Sequence, residues 1–211
     1  MTDTAKLRGV LRAIAEQVKL EGLTFERVKS VAGFAVSLVG DKAVCSAVVL
    51  DMKSMNVLER KHVLGKVDMP YIPGLLAFRE GSLILQAYYD LEHEPDVLMV
   101  GGHGIAHPLR AGLASYVGVE LGKPCVGVAK SLLVGEIVDE KVMIGNEVRG
   151  VLVRTKEHAK PVIVSPGHLV SVEEATKMVK HCIVPPHKLP EPLHQAHRDA
   201  DKIAEQFGGN S

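Results

Sequence analysis

Between Leu7 and Leu20 the apolar residues fall at Leu7, Val10, Leu11, Ile14, Ala15, Val18 and Leu20. That spacing predicts a helix over residues 5–20 with one apolar face. From Ser30 the pattern changes to an apolar run, Val31 to Val39, that Gly40-Asp41 punctuates. Ala43 to Leu50 is a second such run and Asn56 to Val67 a third. Short, β-branched runs joined by Gly-Asp and Lys-Ser turns predict an antiparallel meander of three strands.

Pro73-Gly74 then introduces a helix from about Leu75 to Tyr89. Val97-Leu98-Met99-Val100 is a continuous apolar run of the kind covered on both faces. A helix over Leu109–Leu121 and a strand over Cys125–Val128 follow, which predicts parallel pairing with right-handed crossovers. Further strands are expected at Val142–Ile144, Val148–Val153 and Val162–Val164, and two helices close the chain. Ser171-Val172-Glu173-Glu174 predicts a capping box at the start of the first of these. The element order is that of an α/β, ribonuclease H-like fold: an antiparallel three-strand meander followed by parallel strands, flanked by helices. The 211 residues are read as one unit, with 1–28 a helix and lead-in and 207–211 a frayed tail.

Composition changes this picture in two ways. Lysine plus arginine equals aspartate plus glutamate, 25 each, so a nucleic-acid ligand must be held by a local site rather than by overall charge. The three cysteines, Cys45, Cys125 and Cys182, are widely spaced in apolar runs, which fits buried thiols in a reducing cytoplasm rather than disulfides or a zinc site. No apolar run is long enough to span a membrane, and no apolar leader stands at the start, so the expected setting is cytoplasmic and membrane-free.

Several segments carry candidate chemistry. In Pro70-Tyr71-Ile72-Pro73-Gly74 two prolines bracket an aromatic residue, giving a stiff connector or a stiff loop that inserts a ring between bases. Glu80 shares a helix face with Leu76, where a carboxylate is costly unless compensated. Gly101-Gly102-His103-Gly104-Ile105-Ala106-His107 follows the buried strand, at the carboxyl edge where α/β sites lie. Lys130 ends the next strand and is suited to a phosphate, and His168 stands ahead of the capped helix, a position suited to anions.

Six ordered segments, between about residues 29 and 197, are similar to those of endonuclease V. They are Pro70–Gly74, Leu75–Glu80, His103–Pro108, Gly127–Ser131, Ser165–His168 and Leu189–Pro192. The resemblance implies a magnesium-dependent nuclease that recognises inosine or deoxyinosine in DNA or RNA and cuts nearby. It makes Tyr71 the wedge, flanked by Ile72 and Pro73, and Glu80 the catalytic and metal-binding glutamate. Lys130 falls beside the scissile phosphate and His107 and His168 at the site, while Leu76, Gly102, His103 and Gly104 join the base-binding surface.

Two positions depart from the family. Its strand motif Ala-Gly-Val-Asp-Val is here Ala32-Gly33-Phe34-Ala35-Val36, and its Asp-Gly-His-Gly loop is Gly101-Gly102-His103-Gly104. Both missing aspartates are metal ligands in the family, and a hard cation needs clustered anionic oxygens. Asp41, Asp51 and Asp96 are expected to lie away from the gap. The leading expectation is recognition with weak or lost cleavage. An active enzyme with a remodelled metal site and a non-enzymatic interaction protein with a vestigial pocket are the alternatives.

Overall fold

The computed structural model describes residues 3–208. Helix α1 spans Thr4–Gln17, and the Asp3 carboxylate caps it by accepting from the Ala5 and Lys6 amides at 3.1 Å. The meander follows as β1 (Ser30–Val39), β2 (Lys42–Asp51) and β3 (Val57–Lys66). Gly40 turns the first hairpin at φ +60, and Ala35 comes to lie opposite Ser46. Helix α2 (Leu76–Tyr89) leads to β4 (Val97–Val100), α3 (Leu113–Leu121) and β5 (Cys125–Ala129). The chain continues through β6 (Glu136–Val138), β7 (Lys141–Ile144), β8 (Glu147–Val153) and β9 (Val162–His168). It ends with α4 (Val172–His181) and α5 (Glu191–Gly208).

All strands join one sheet in the order β3-β2-β1-β4-β5-β9-β8-β7-β6. Among the described residues the parallel pairs are β1 with β4 and β4 with β5; every other neighbouring pair is antiparallel. The mixed α/β architecture expected from the sequence is therefore present, and the helices form two layers. Leu11 and Ile14 of α1, Ile84 of α2 and Leu113 of α3 pack with Phe34, Cys45 and Val100 on one face. Met178 of α4 and Leu193 and Ala196 of α5 pack with Val31, Ala35 and Met99 on the other. Phe34 and Ala35 thus point to opposite layers, as neighbours in a strand must. The three cysteines are buried free thiols.

Four expectations are corrected. The helix predicted from Leu109 begins at Leu113, because residues 109–112 fold back: Arg110 has φ +58, and the Gly112 amide donates to the Gly104 carbonyl at 2.9 Å. Strand β6 carries no alternation, being exposed throughout, and was not anticipated. Ser171 caps α4 by accepting from the Glu174 amide at 3.1 Å, but the Glu174 carboxylate accepts from the Phe25 amide at 2.7 Å rather than closing a capping box. The tail expected to fray from residue 207 remains helical to Gly208; its remainder lies outside the described residues.

The start of α5 reaches β1 at Gly33, where a Cβ would lie 2.1 Å from the Pro192 carbonyl oxygen. The obstacle is backbone at a helix start, which cannot turn aside as a side chain does. Gly33→Ala is expected to destabilise the protein by roughly 3 kcal/mol or more. A thermal melt checks this, and an unchanged Tm would show that α5 shifts freely.

Candidate nucleic-acid site

The parallel trio sets the site. In register, Phe34 of β1 pairs with Val100 of β4 and Val100 with Gly127 of β5, so Ala35, Gly101 and then Lys130 emerge along one carboxyl edge. The loop after β4 is held in place from its neighbours. The Gly104 amide donates to Ser165 Oγ at 2.7 Å, and the Ile105 amide donates to the Pro166 carbonyl at 2.8 Å. The approach is too close for a side chain, since a Cβ at Gly104 would lie 1.9 Å from the Pro166 oxygen.

Tyr71 stands 65% exposed on the loop ahead of α2, whereas Ile72 turns inward against the core, so the two bracketed residues divide between solvent and packing. Both ends of this loop are fastened. Arg79 Nη1 donates to the Met69 carbonyl, and His107 Nε2 donates to the Gly74 carbonyl at 3.0 Å. Gly74 itself has φ +81, a left-handed conformation that favours glycine. Because His107 Nδ1 accepts from the Leu109 amide at 3.1 Å, the ring is a neutral Nε2–H tautomer. Arg149 Nη1 supports it from below by donating to the His107 carbonyl at 3.2 Å.

Two adjoining clefts open beside Tyr71. One is framed by Gly74, His107, Gly112, Leu113 and Ser131, the other by Gly101, Gly102, Lys130, Leu193 and His197. Tyr71, Leu76 and His103 line both. His103 Nε2 pairs with the Ser131 carbonyl at 3.0 Å, joining the loops after β4 and β5. Burial pulls the His103 pKa down, against the effect of that carbonyl. Lys130 is exposed and has no hydrogen bond or ion pair among the described residues.

Sequence reasoning missed His197. It lies on α5 four residues after buried Leu193, the same-face spacing that would have marked it. A Cβ built at Gly101 would lie 3.7 Å from His197 Nε2 and near nothing else within 4 Å. Burial, and then the Lys130 charge, lower the His197 pKa, while Asp201 opposes them. Asp199 and Asp201 were also overlooked. Asp199 accepts from Ser46 Oγ at 2.6 Å, across the hairpin from Ala35, and lies 4.0 Å from Arg60; Asp201 accepts from Ser37.

One predicted residue is placed apart from this edge. β9 runs antiparallel to β5, with His168 opposite Cys125, so His168 sits at the start of β5 while Lys130 follows its end. That is the far side of the sheet, roughly 15 Å away at the rise of a strand. There His168 Nδ1 accepts from the Lys19 amide at 3.3 Å and ties the segment after α1 to β9. Glu80, the fifth residue of α2, follows cleft-lining Leu76 by one turn and belongs to the layer opposite α5; burial first, and then the Glu80 charge, raise the pKa of the Cys45 thiol, whose residue pairs with Val36 beside Ala35. Burial pushes the Glu80 carboxyl up to about 7, opposed only by Arg79. Asp96 and Asp51 lie at the opposite strand ends as expected, Asp96 accepting from the Lys29 and Ser30 amides and Asp51 from Ser54.

A nine-stranded mixed sheet with helices on both faces and a cleft at the ends of its parallel strands is a ribonuclease H-like fold. It superimposes on a Bacillus subtilis endonuclease V at TM-score 0.90 and 27% identity, covering 100% of this chain and 96% of that one. It matches a Ciona intestinalis endonuclease V, solved with a 24mer DNA containing an inosine followed by a ribo-adenosine, at TM-score 0.87 and 27% identity over 97% and 98% of the two chains. A Methanopyrus kandleri endonuclease V is 44% identical over 210 residues, covering 96% of this chain and 90% of the relative. The Endonuclease V family model matches residues 12–198. The chain belongs to the endonuclease V family.

The magnesium ion that the family resemblance implies does not fit the residues present. Among the described residues no group of three His, Cys, Asp or Glu side chains converges to hold a metal. Ala35 offers a methyl group, Gly101 a hydrogen, and Glu80 a carboxyl biased toward its protonated form.

His107 yields a test of the local electrostatics. It is 3% exposed, and its pKa is lowered to about 4, first by burial; the Gly74 carbonyl opposes this and His103 adds to it. The unfolded chain takes up this proton near the ordinary imidazole value of 6.5, and the folded chain refuses it until about 4. His107 therefore contributes stability that is present above pH 6.5 and is lost as pH falls toward 4, about 2 kcal/mol of it by pH 5. His107→Gln is expected to narrow the gap in Tm between pH 7 and pH 5 by roughly 4–8 °C. An unchanged gap would place the acid sensitivity elsewhere.

Proposed function

We propose that this protein recognises inosine or deoxyinosine in DNA or RNA and cleaves the strand weakly or not at all. The observation that carries this reading is the pair Ala35 and Gly101. They stand side by side just past the last β1–β4 pair, Phe34 with Val100, at the two positions where the family resemblance calls for metal-binding aspartates. The recognition half of the site is built to a different standard. Tyr71 projects on a loop fastened at Met69 and Gly74, and a flipped base has a cleft beside it framed by His103, His107 and Leu113. The Ciona relative, solved on inosine-containing DNA, supports the choice of ligand.

The same geometry assigns roles. The Tyr71 ring replaces stacking lost when a base leaves the strand. Gly102 and Gly104 let the loop backbone approach the base closely, and neutral His107 holds the wedge loop against the cleft. Gly102 has little room for a larger residue, as a Cβ there would meet Leu113 at 3.1 Å.

A second reading, an active enzyme with a remodelled metal site, draws on one observation. Asp199 brings a carboxylate across the hairpin from Ala35. That carboxylate is already shared by Ser46 and Arg60, which favours the first reading.

Oligonucleotides with and without inosine, mixed with the protein in magnesium or manganese, separate the possibilities. Expected are preferential binding to inosine and nicking at least on the order of a hundredfold below that of Ala35→Asp/Gly101→Asp. Tyr71→Ala is expected to weaken inosine binding by roughly five- to a hundredfold, the range for one stacked base. Efficient nicking by the native protein that needs Glu80 would overturn the reading, and loss in Asp199→Asn as well would establish the remodelled site. Absence of any inosine preference would favour an interaction protein with a vestigial pocket.

A further inference from the structure

The cleft assigned above to the flipped base is lined from two parts of the chain, and one carboxylate ties those parts together. His107 and Leu113 come from the loop after β4 and the start of α3, whereas Leu132 and Leu133 come from the segment that leads into β6. β6 folds back on β7, and β7 on β8, so that this lining is the root of a three-stranded arm. Gly135 permits the first fold-back: it has φ +89, and a Cβ there would lie 2.3 Å from the Met143 carbonyl oxygen. Glu147 opens β8 at the second, paired with Ile144 across the turn. Its Oε1 accepts from Arg110 Nε at 3.1 Å and Nη2 at 2.9 Å, and its Oε2 accepts from Arg149 Nε at 2.8 Å. Burial acts to raise the Glu147 pKa, but the two guanidiniums outweigh it and hold the carboxyl below its ordinary value.

Both guanidiniums lead to one carbonyl on the cleft loop. Arg110 belongs to that loop, and its amide donates to the His107 carbonyl at 2.9 Å. Arg149 comes from β8, and its Nη1 donates to the same carbonyl at 3.2 Å. The His107 ring then reaches the Gly74 carbonyl at 3.0 Å, so a continuous path joins Glu147 through Arg149 and His107 to the wedge loop. We propose that Glu147 is a positioning residue for base recognition: by locking Arg110 and Arg149 it fixes the arm against the loop after β4 and sets the shape of the base cleft. The proposal rests on the functional reading for the ligand, though not for the link between arm and wedge loop. An isolated, exposed ion pair would contribute little. Here one carboxylate takes three donors from two planar guanidiniums, and the Arg149 side chain is only 16% exposed. The fork of Arg149 serves Glu147 and the His107 carbonyl at once, which the single ammonium of a lysine does not reproduce.

Fluorescence anisotropy on an inosine-containing DNA oligonucleotide and its control, joined to hydrogen exchange of the free proteins, tests the assignment. Glu147→Gln is expected to weaken inosine binding by about tenfold and to leave control binding unchanged. Arg149→Lys keeps a cation beside Glu147 but gives up the bridge to His107, and is expected to lose inosine preference to a similar extent. A merely stabilising ion pair would survive that change. Amide exchange over residues 72–80 is expected to rise roughly tenfold in both variants, and over residues 131–138 in Glu147→Gln alone. Inosine preference retained by both variants would overturn the proposal and leave the functional reading standing. Equal losses on the two oligonucleotides would also overturn it, as they mark a general support role. Should Glu147→Gln melt more than about 8 °C below the native protein, Arg149→Lys alone decides. If the native protein shows no inosine preference, the functional reading falls and exchange decides the link: faster exchange over residues 72–80 in both variants upholds it, and unchanged exchange overturns it.

Discussion

The Gly101–His107 loop has its shape because backbone meets backbone around it. Gly104 lies against the Pro166 carbonyl, Gly112 against the His103 carbonyl and Gly127 against the Gly102 carbonyl, each closer than any Cβ allows. These approaches are the constraint on which the site depends. They pull the loop after β4 down between β5 and β9, so that its carbonyl and amide groups are already committed. His103 and His107 are left at its rim, where one reaches Ser131 and the other Gly74. A loop fixed from below in this way holds the adjoining clefts in shape without a ligand, which would lower the ordering cost of binding there.

A second constraint is that the carboxylates nearest the cleft are already engaged, Asp199 by Ser46 and Arg60 and Asp201 by Ser37. Across the cleft the ionisable groups are Lys130 and histidines that burial keeps neutral, and Glu80 lies in the opposite helix layer with its own charge disfavoured. The chain as a whole is electrically balanced. The charge that this cleft presents is therefore set by local arrangement and not by the balance of the chain.

Much of this was legible in the sequence because it is written in local patterns. The meander, the buried run at β4 and the helices α1 and α2 follow from apolar periodicity and turn residues, which act over a few positions. What could not be read was direction and long-range pairing. His168 sits beside a Ser165-Pro166-Gly167 segment that supports the site loop, yet β9 runs antiparallel and carries His168 to the far edge; nothing in seven residues encodes strand direction. His197 was overlooked for a related reason: its importance comes from α5 crossing β1 at Gly33, a contact between residues about 160 positions apart in the chain. Asp199 and Asp201 share that origin.

The strand order leaves β3 and β6 at the two ends of the sheet, and their composition bears on how copies of this protein meet in solution. With no net charge, long-range repulsion between molecules is small, so the unpaired backbone of an edge strand becomes the main route to unwanted pairing. Along β3, Glu59, Arg60 and Lys61 set charges of both signs across the exposed edge, and Lys61 and Glu59 are engaged with the segment around Glu92. β6 is guarded differently, by brevity: its three residues offer too little edge for a stable register, although Ile137 and Val138 are exposed. Colloidal stability in this protein thus rests on edge composition and strand length, and lengthening β6 or neutralising β3 would turn the sheet's ends into templates for assembly.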